Sequence, residues 1–321
     1  MSDVHTAFIS GWATHHPDAV LPNDELVARL DTSHEWLDER LGIRERRVVD
    51  GESVAELCRT SAAAALARAG IAGDRLDLIV GSSAFDDMEM PALAARVGAD
   101  LAPGAHAFDV RAACSGWVIG LDTAVAYLAT GRATYALVTA GESTARHIDR
   151  DDRATAVFFG DASVSAVVQR TRPRRGLEVL GFERLAANDL HHLVEVPVGG
   201  TFRTDASATR DWVEAAMVEV ARRLLDRHGA GVEDLRACAF HQANLRLVER
   251  VGDALGLDRD RNRTNVAWAG NTASAAGPSA LFEGLDADAD DLRDGDLAAI
   301  VTVGSGLNAI AVLLRHVDAG A

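Results

Sequence analysis

The chain has 321 residues, of which 48% are hydrophobic and 25% are charged, and both values are ordinary for a folded globular protein. Its formal net charge is −16 and all 32 basic residues are arginine, which excludes lysine Schiff-base chemistry and argues against a nucleic-acid partner. Three cysteines without a C-x-x-C pair argue against both a disulfide framework and a cysteine-based zinc site.

Strand and helix patterns alternate along the chain with few long irregular stretches. Up to residue 169 the strand-like segments are 6–11, 76–80, 107–110, 135–139 and 163–169, with helical patterns at 53–69 and 90–98. After a basic, turn-prone link at 171–176, strands are expected at 177–182, 235–240, 298–303 and 310–314, and helices at 209–228 and 245–255. This alternation predicts an α/β architecture with helix-covered sheets.

Cys114 lies where the apolar segment 107–110 gives way to a helical pattern that runs to about residue 130. A thiol at such a joint would lie near the first turn of a helix, where free backbone N–H groups and the helix dipole favour the thiolate. The other two cysteines, Cys58 and Cys238, fit the commoner pattern of small buried hydrophobic residues. Cys114 is therefore the candidate nucleophile.

His241 and Asn271 each follow a short apolar run of strand character, at 235–240 and 265–268, and each precedes a helical pattern. Polar groups at strand ends can converge at one edge of a sheet. Taken singly, such a histidine is more often a structural residue, and such an asparagine more often a cap or turn residue. Their functional interpretation depends on the wider pattern of the chain.

Five segments provide that pattern: 31–36 (DTSHEW), 42–46 (GIRER), 109–116 (DVRAACSG), 241–246 (HQANLR) and 270–276 (GNTASAA). In sequence and in order they resemble the 3-oxoacyl-(acyl carrier protein) synthase III family, also called β-ketoacyl synthase III, of the thiolase superfamily. The resemblance covers nearly the whole chain and is far more specific than one cysteine with a distant histidine.

The resemblance implies a thiolase fold, in which two pseudo-symmetric halves form a five-layered α-β-α-β-α core. We place the boundary near Pro173, so that an N-terminal half at 1–172 carries the cysteine and a C-terminal half at 173–321 carries the histidine and asparagine. No short tandem repeat is visible in the sequence. Homodimerisation is a further expectation from the family.

By resemblance, Cys114 takes an acyl group from a thioester, while His241 and Asn271 help to decarboxylate a malonyl thioester and hold the enolate. An oxyanion hole is expected from backbone N–H groups of Cys114 and of the turn at Ser305 and Gly306. This turn, Gly-Ser-Gly, resembles the family's triple-glycine turn but has a serine in the middle. No cofactor is expected beyond the thioester substrate.

Coenzyme A binding is implied for three residues. Trp36 and Arg153 resemble the family's pair that sandwiches the adenine, and Arg40 matches an arginine near the phosphates. An indole and a guanidinium both present flat faces on which a purine can stack. Exposed arginines usually have no specific role, so the assignment of Arg40 and Arg153 depends on the resemblance.

The chain departs from the family at the surface where an acyl carrier protein docks. Arg246 matches the docking arginine of the family, but Glu214, Asp253 and Ala254 occupy places where lysines are common. Anions facing an acidic partner slow association and weaken the complex. We therefore expect either a different carrier protein or a free coenzyme A thioester as the acyl donor.

A second departure concerns the acyl pocket. Residues 85–90 replace a segment whose final aromatic residue closes that pocket in the family; Met90 falls at this position, and we expect Met88 and Met90 to shape the pocket. The segment 199–206 is shorter than its family counterpart. These loops are either ordinary surface variation or, as we expect, a sign of a divergent member that serves secondary metabolism.

Three functions remain open from the sequence. The acyl-cysteine condenses with a malonyl thioester to give a 3-oxoacyl product of the polyketide or fatty-acid type, or it passes the acyl group to an oxygen or nitrogen acceptor. The third possibility is an inactive scaffold subunit, which the presence of all three active-site residues disfavours. No apolar stretch approaches a membrane span and residues 1–5 lack a signal-peptide pattern, so we expect a cytoplasmic enzyme without a membrane partner.

Overall fold

The computed structural model describes residues 7–320, so the first residue of the strand expected at 6–11 lies outside the described residues. The strands are β1 (Ala7–His15), β2 (Val20–Pro22), β3 (Glu45–Arg47), β4 (Leu78–Ser82), β5 (His106–Asp109), β6 (Tyr135–Glu142), β7 (Ala162–Gln169), β8 (Arg175–Ala186), β9 (Val194–Glu195), β10 (Arg203–Thr204), β11 (Leu235–Phe240), β12 (Leu297–Gly304) and β13 (Asn308–Asp318). The helices are α1 (Asn23–Arg29), α2 (His34–Arg40), α3 (Val54–Ala69), α4 (Leu93–Leu101), α5 (Gly116–Ala129), α6 (Arg153–Ala156), α7 (Ala206–His228), α8 (Leu245–Leu255), α9 (Val266–Ala269) and α10 (Ala273–Ala287).

The strand order repeats within the molecule. Nine strands are hydrogen-bonded in the order β11-β12-β13-β8-β1-β7-β6-β4-β5, and β1 pairs antiparallel with β8 at the middle. On one side of this pair, β1 pairs antiparallel with β7, β7 pairs antiparallel with β6, and β6 pairs parallel with β4. On the other side, β8 pairs antiparallel with β13, β13 pairs antiparallel with β12, and β12 pairs parallel with β11. The two pseudo-symmetric halves are thereby confirmed, while the boundary at residues 172 and 173, between β7 and β8, stays a prediction.

Three apolar cores separate five layers. Helices α3 and α4 pack on β4, β6 and β7, and helices α7 and α8 pack on β11, β12 and β13. Between them, α5 and α10 lie in a central core that receives side chains from both sets of strands. Strands covered on both faces become near-continuous apolar runs, which explains why β12 lacks an apolar–polar alternation. The α-β-α-β-α order expected from the sequence is confirmed.

One predicted element has the wrong type. The run 265–268, interpreted as strand-like, forms the short helix α9. Backbone N–H groups of Trp268 and Ala269 donate to the carbonyl oxygen of Asn265, at 3.1 and 2.9 Å, which closes a helical turn. A run of four residues is too short for its periodicity to distinguish a strand from a helix. None of the described helices is long and apolar enough to cross a membrane.

Candidate active site

The three residues of the predicted constellation line one cavity. Cys114, His241 and Asn271 all border an open cavity of about 890 Å³. Cys114 lies in a one-turn 3₁₀ helix, Ala113–Ser115, between β5 and α5, while His241 follows β11 and Asn271 lies between α9 and α10. The fold thus brings together residues that are widely separated along the chain.

The turn that carries the cysteine has a strained backbone. Ala113 has a φ of 46°, in the left-handed region that a residue with a side chain rarely adopts. The end of β12 packs closely against this turn, since a Cβ atom at Gly304 would lie 2.4 Å from the carbonyl oxygen of Ala112. The hydroxyl of Ser115 donates to the carbonyl oxygen of Asn308 at 3.2 Å. Contacts from the C-terminal half therefore hold the nucleophile's turn in place.

Burial governs the protonation of Cys114. Removal from water, and to a smaller extent the charge of Glu142, raises the pKa of its thiol to about 12. This direction is opposite to the one expected for a thiol at a helix N-terminus, and burial is its largest cause. Cys114 rests as a thiol, so a base must take its proton when the sulfur attacks.

His241 is buried and uncharged at neutral pH. Its backbone N–H donates to the carbonyl oxygen of Val301 at 2.8 Å and so extends the pairing of β11 with β12 by one residue. Burial lowers the pKa of its imidazole to about 4. Its Nδ1 atom is buried and has no hydrogen-bond partner within residues 7–320. A neutral imidazole in a cavity wall retains one nitrogen that can accept a proton.

Asn271 is held through its backbone and its side chain. Its N–H donates to the carbonyl oxygen of Phe158 at 2.8 Å, and its own carbonyl oxygen accepts from the N–H of Gly160 at 3.1 Å. The side-chain Oδ1 accepts from the N–H of Ala273 at 3.0 Å. Because this bond engages Oδ1, the amide Nδ2 group is the part of the side chain left to donate to a bound molecule.

The turn predicted to complete the oxyanion hole adjoins the cavity. Ser305 lines the cavity, and its hydroxyl donates to the carbonyl oxygen of Val194 at 2.5 Å. Gly306 has a φ of 134°, a conformation that favours glycine. The side chain of Ser305 thus supports the neighbouring strand β9. The use of the N–H groups of Ser305, Gly306 and Cys114 as oxyanion donors stays a prediction.

The residues predicted to bind coenzyme A lie together. Trp36 and Arg40 line the cavity, and the guanidinium of Arg153 lies over the Trp36 ring, 4.3 Å from its centroid. Trp36 is half-buried, whereas Arg40 and Arg153 are exposed. At this separation the two flat groups stack directly on each other, so a purine between them requires Arg153 to move outward. Their role in binding a nucleotide stays a prediction.

The side chain of Arg246 already has partners within the chain. It lines the cavity and donates to the carbonyl oxygens of Asp38 and Glu39, at 2.7 and 3.1 Å, near the C-terminus of α2. A further bond of 2.9 Å joins it to the Glu249 carboxylate. These bonds engage the guanidinium in joining α2 to α8. Docking of a carrier protein at Arg246 stays a prediction.

The acidic residues of the expected docking surface form ion pairs. Glu214 on α7 pairs with Arg250 on α8 at 2.6 Å, and Asp253 pairs with Arg259 at 3.1 Å. Each pair cancels a charge locally, so this surface presents alternating signs instead of a basic field. An acidic carrier protein finds little net attraction in such an arrangement.

Met88 and Met90 are not brought to the cavity of this chain. Their exposed fractions are 52% and 82%, and neither lines the cavity. The preceding Asp86 and Asp87 bind Arg96 on α4, at 2.6 and 2.7 Å, which ties this part of the segment to α4. Within this chain, the expectation that the two methionines shape the acyl pocket is therefore not supported.

Three phenylalanines form the wall of the cavity instead. Phe85, Phe159 and Phe202 line it and pack edge to face, with ring centroids 5.0 to 6.0 Å apart. The N–H of Phe202 donates to the carbonyl oxygen of His147 at 2.7 Å, which anchors the divergent segment at 199–206. Sequence reasoning missed this cluster because its members are widely spaced along the chain. Their aromatic character was the available signal.

Glu142 is the other residue that the sequence analysis missed. It is the last residue of β6 and is fully buried. Burial raises the pKa of its carboxyl group to about 7, although several hydrogen bonds act to lower it. Its carboxylate accepts from the N–H groups of Ala84, Phe85 and Ser274 at 2.8 to 3.2 Å. An acidic residue at the end of a mostly apolar strand was the available signal.

Comparisons with known proteins agree with this geometry. The sequence model of 3-oxoacyl-[acyl-carrier-protein] synthase III matches residues 108–186, and the model of its C-terminal part matches 225–316. The β-ketoacyl-[acyl-carrier-protein] synthase III of Aquifex aeolicus is 32% identical over 309 residues, which are 96% of this chain and 99% of the relative.

Solved structures give the same result. A crystal structure of the synthase III from Aquifex aeolicus covers 96% of this chain and 99% of that chain, with a TM-score of 0.91 and 32% identity. The priming β-ketosynthase of the R1128 polyketide biosynthetic pathway covers 97% and 96%, with a TM-score of 0.86 and 28% identity. Since these matches extend over almost the entire chain, the protein belongs to the 3-oxoacyl-(acyl carrier protein) synthase III family, a family of enzymes with the thiolase fold.

Proposed function

We propose that this protein takes an acyl group from a thioester onto Cys114 and condenses it with a malonyl thioester, releasing CO₂ and a 3-oxoacyl thioester. The observation that supports this most directly is the presence of Cys114, His241 and Asn271 in one cavity of a synthase III family member. The assignment of these roles comes from the family's motifs and is consistent with the protonation states described above.

In the first half-reaction, the sulfur of Cys114 attacks the thioester carbonyl. The thiol proton passes to the imidazole of His241, which burial keeps neutral and which therefore has a ring nitrogen with a free lone pair. The tetrahedral intermediate collapses, the C–S bond to the donor breaks, and the departing thiol takes the proton. Backbone N–H groups of Cys114 and Gly306 would stabilise the intermediate's oxyanion.

In the second half-reaction, the malonyl thioester loses CO₂ and the electron pair of the broken C–C bond forms an enolate. The Nδ2 group of Asn271 and an N–H of the neutral His241 would donate to the enolate oxygen. The enolate carbon then attacks the acyl carbonyl on Cys114, and the cysteine sulfur leaves. A proton restores the thiol, so the protein returns to its starting state.

The proposed donor is a coenzyme A thioester. Trp36, Arg40 and Arg153 cluster at the cavity, while the expected carrier-docking surface consists of paired charges such as Glu214 with Arg250. The flat base of a nucleotide could stack on the Trp36 and Arg153 side chains. The surface of paired charges provides no basic field for an acidic carrier protein. Assembly as a homodimer belongs to the same proposal and derives from the family alone.

Intact-protein mass spectrometry tests the proposed reaction. We expect a panel of acyl-coenzyme A thioesters to add one acyl mass to the wild type and none to Cys114→Ala. Malonyl-coenzyme A should then remove that mass while releasing a 3-oxoacyl thioester and CO₂. If only hydroxyl or amine acceptors remove it, the protein is an O- or N-acyltransferase and the condensation is wrong. Persistence of acylation in Cys114→Ala would disprove the nucleophile.

A further inference from the structure

The Glu142 carboxylate joins two segments that adjoin the catalytic residues. Its Oε2 accepts from the N–H groups of Ala84 and Phe85, at 3.0 and 2.8 Å. Its Oε1 accepts from the N–H of Ser274 at 3.1 Å and also from the Ser274 hydroxyl. One carboxylate therefore links the turn after β4 to the first turn of α10.

Both segments contribute to the cavity. Phe85 forms part of its wall, and Ser274 comes three residues after Asn271, directly after Ala273, whose N–H holds the asparagine's Oδ1. At the start of α5, a Cβ atom at Gly116 would lie 2.8 Å from the Cβ of Ser82, the last residue of β4, and 3.6 Å from the Cβ of Ser274. A shift of Glu142 would therefore move the cavity wall and the asparagine together.

Stability alone does not account for an acidic residue here. Glu142 is fully buried, and no arginine or histidine within residues 7–320 forms a salt bridge with it. A buried carboxylate without a cation is costly, and uncharged residues of similar size are often as stable or more so. The titratable groups that feel its charge are the thiols of Cys114 and Cys58.

We propose that Glu142 is a positioning residue, which holds the Phe85 wall and the Asn271 turn in one geometry around Cys114. This inference rests on the proposed condensation, in which decarboxylation requires Asn271 and acylation does not. Loss of the bridge should therefore damage decarboxylation more than acylation. The charge of the carboxylate also opposes ionisation of the neighbouring thiol.

Glu142→Gln tests the proposal with little change of shape. The glutamine amide group cannot accept a hydrogen bond, so one of the two donor segments loses its partner. We expect release of CO₂ from malonyl-coenzyme A to fall about tenfold or more, because small misplacements of catalytic groups are costly. Self-acylation should fall by less than about threefold. The pH midpoint for alkylation of Cys114 by iodoacetamide should move downward, because a like charge has been removed.

Asp161→Asn is the matched control. Asp161 is also buried and accepts from the N–H groups of Val49 and Thr144 and from the Thr144 hydroxyl, at 2.7 to 2.8 Å. It makes no hydrogen bond to Ala84, Phe85 or Ser274 among the described residues. We expect this variant to lose stability without moving the alkylation midpoint or the ratio of decarboxylation to acylation.

Ser274→Ala provides a second test if Glu142→Gln does not fold. It removes one hydrogen bond to the carboxylate and keeps the charge, so the same ratio should fall by a smaller factor. The role of Glu142 would be overturned if the ratio of decarboxylation to acylation were unchanged in both Ser274→Ala and Glu142→Gln. It would also be overturned if Glu142→Gln did not move the pH midpoint for alkylation of Cys114. Failure of the wild type to release CO₂ would overturn the proposed function. The alkylation midpoint of Cys114 could still be measured, because alkylation does not require condensation.

Discussion

Ala113 and Ala273 both have a positive φ, 46° and 44°, and each lies where the chain enters one of the two central helices. Ala113 directly precedes Cys114, and Ala273 follows Asn271 by two residues. A residue with a Cβ atom adopts this conformation at a cost of about 1 kcal/mol or more. The turns that carry Cys114 and Asn271, one in each half of the fold, therefore contain the same kind of local strain.

We expect Ala113→Gly and Ala273→Gly to unfold at the same urea concentration as the wild type or a higher one. Glycine relieves the strain of a positive φ, which offsets the extra chain entropy of its unfolded state. The matched control is Ala64→Gly on the exposed face of α3, which should lose about 1 kcal/mol. A loss in the two turn variants as large as that of the control would show that the turns are not strained.

Asn271 should matter more for decarboxylation than for acylation. We expect Asn271→Ala to slow CO₂ release from malonyl-coenzyme A by about 10²-fold, the usual effect of losing one donor to a developing oxyanion, while Cys114 is acylated at nearly the wild-type rate. Asn271→Asp is the informative companion, because it keeps an acceptor for the Ala273 N–H and replaces the Nδ2 donor with a carboxylate oxygen that repels the enolate. Equal losses in both half-reactions would indicate a purely structural role.

His241 should make stability depend on pH in the acidic range. Its pKa is about 4 in the folded state, against about 6.5 for an ordinary histidine, so protons bind the unfolded chain first as the pH falls. The stability present above pH 6.5 is therefore lost progressively down to about pH 4, by about 3 kcal/mol in total. Urea unfolding of the wild type and of His241→Gln at pH 7, 5.5 and 4 checks this.

The wild type should lose that amount relative to His241→Gln as the pH falls, because glutamine does not titrate. A difference in stability between the two proteins that stays constant over this range would mean that His241 has an ordinary pKa. The raised pKa of Glu142 also changes stability between about pH 4.5 and 7, in the opposite direction. Because Glu142 is present in both proteins, the difference between them still isolates His241.

Arg153 should read the nucleotide of the donor. We expect Arg153→Ala to raise the apparent KM for an acyl-coenzyme A about fivefold, corresponding to about 1 kcal/mol for one lost stacking contact. An acyl-pantetheine donor, which has no adenine, should be unaffected. The control is Arg132→Ala, which removes a cation–π contact in which the Arg132 guanidinium lies 5.8 Å from the centroid of the Tyr127 ring. Neither Arg132 nor Tyr127 lines the cavity. Equal losses with both donors would exclude adenine recognition by Arg153.

The sequence by itself determined the architecture and the identity of the three central residues. Alternating apolar runs and helical patterns are local properties, so the positions of most strands and long helices could be predicted from them. Cys114, His241 and Asn271 stand in short motifs whose order along the chain is as informative as their composition. Segment 265–268 was assigned wrongly because a run of four residues contains too little periodic information.

Only the tertiary structure decided the environment of those residues. Burial, a property of the whole fold, raises the pKa of the Cys114 thiol and lowers the pKa of the His241 imidazole. The tertiary structure also places Phe85 in the cavity wall and leaves Met90 exposed, with the Asp86 and Asp87 between them paired to Arg96. Contacts between residues distant in sequence depend on packing, and packing leaves no local pattern from which they could be predicted.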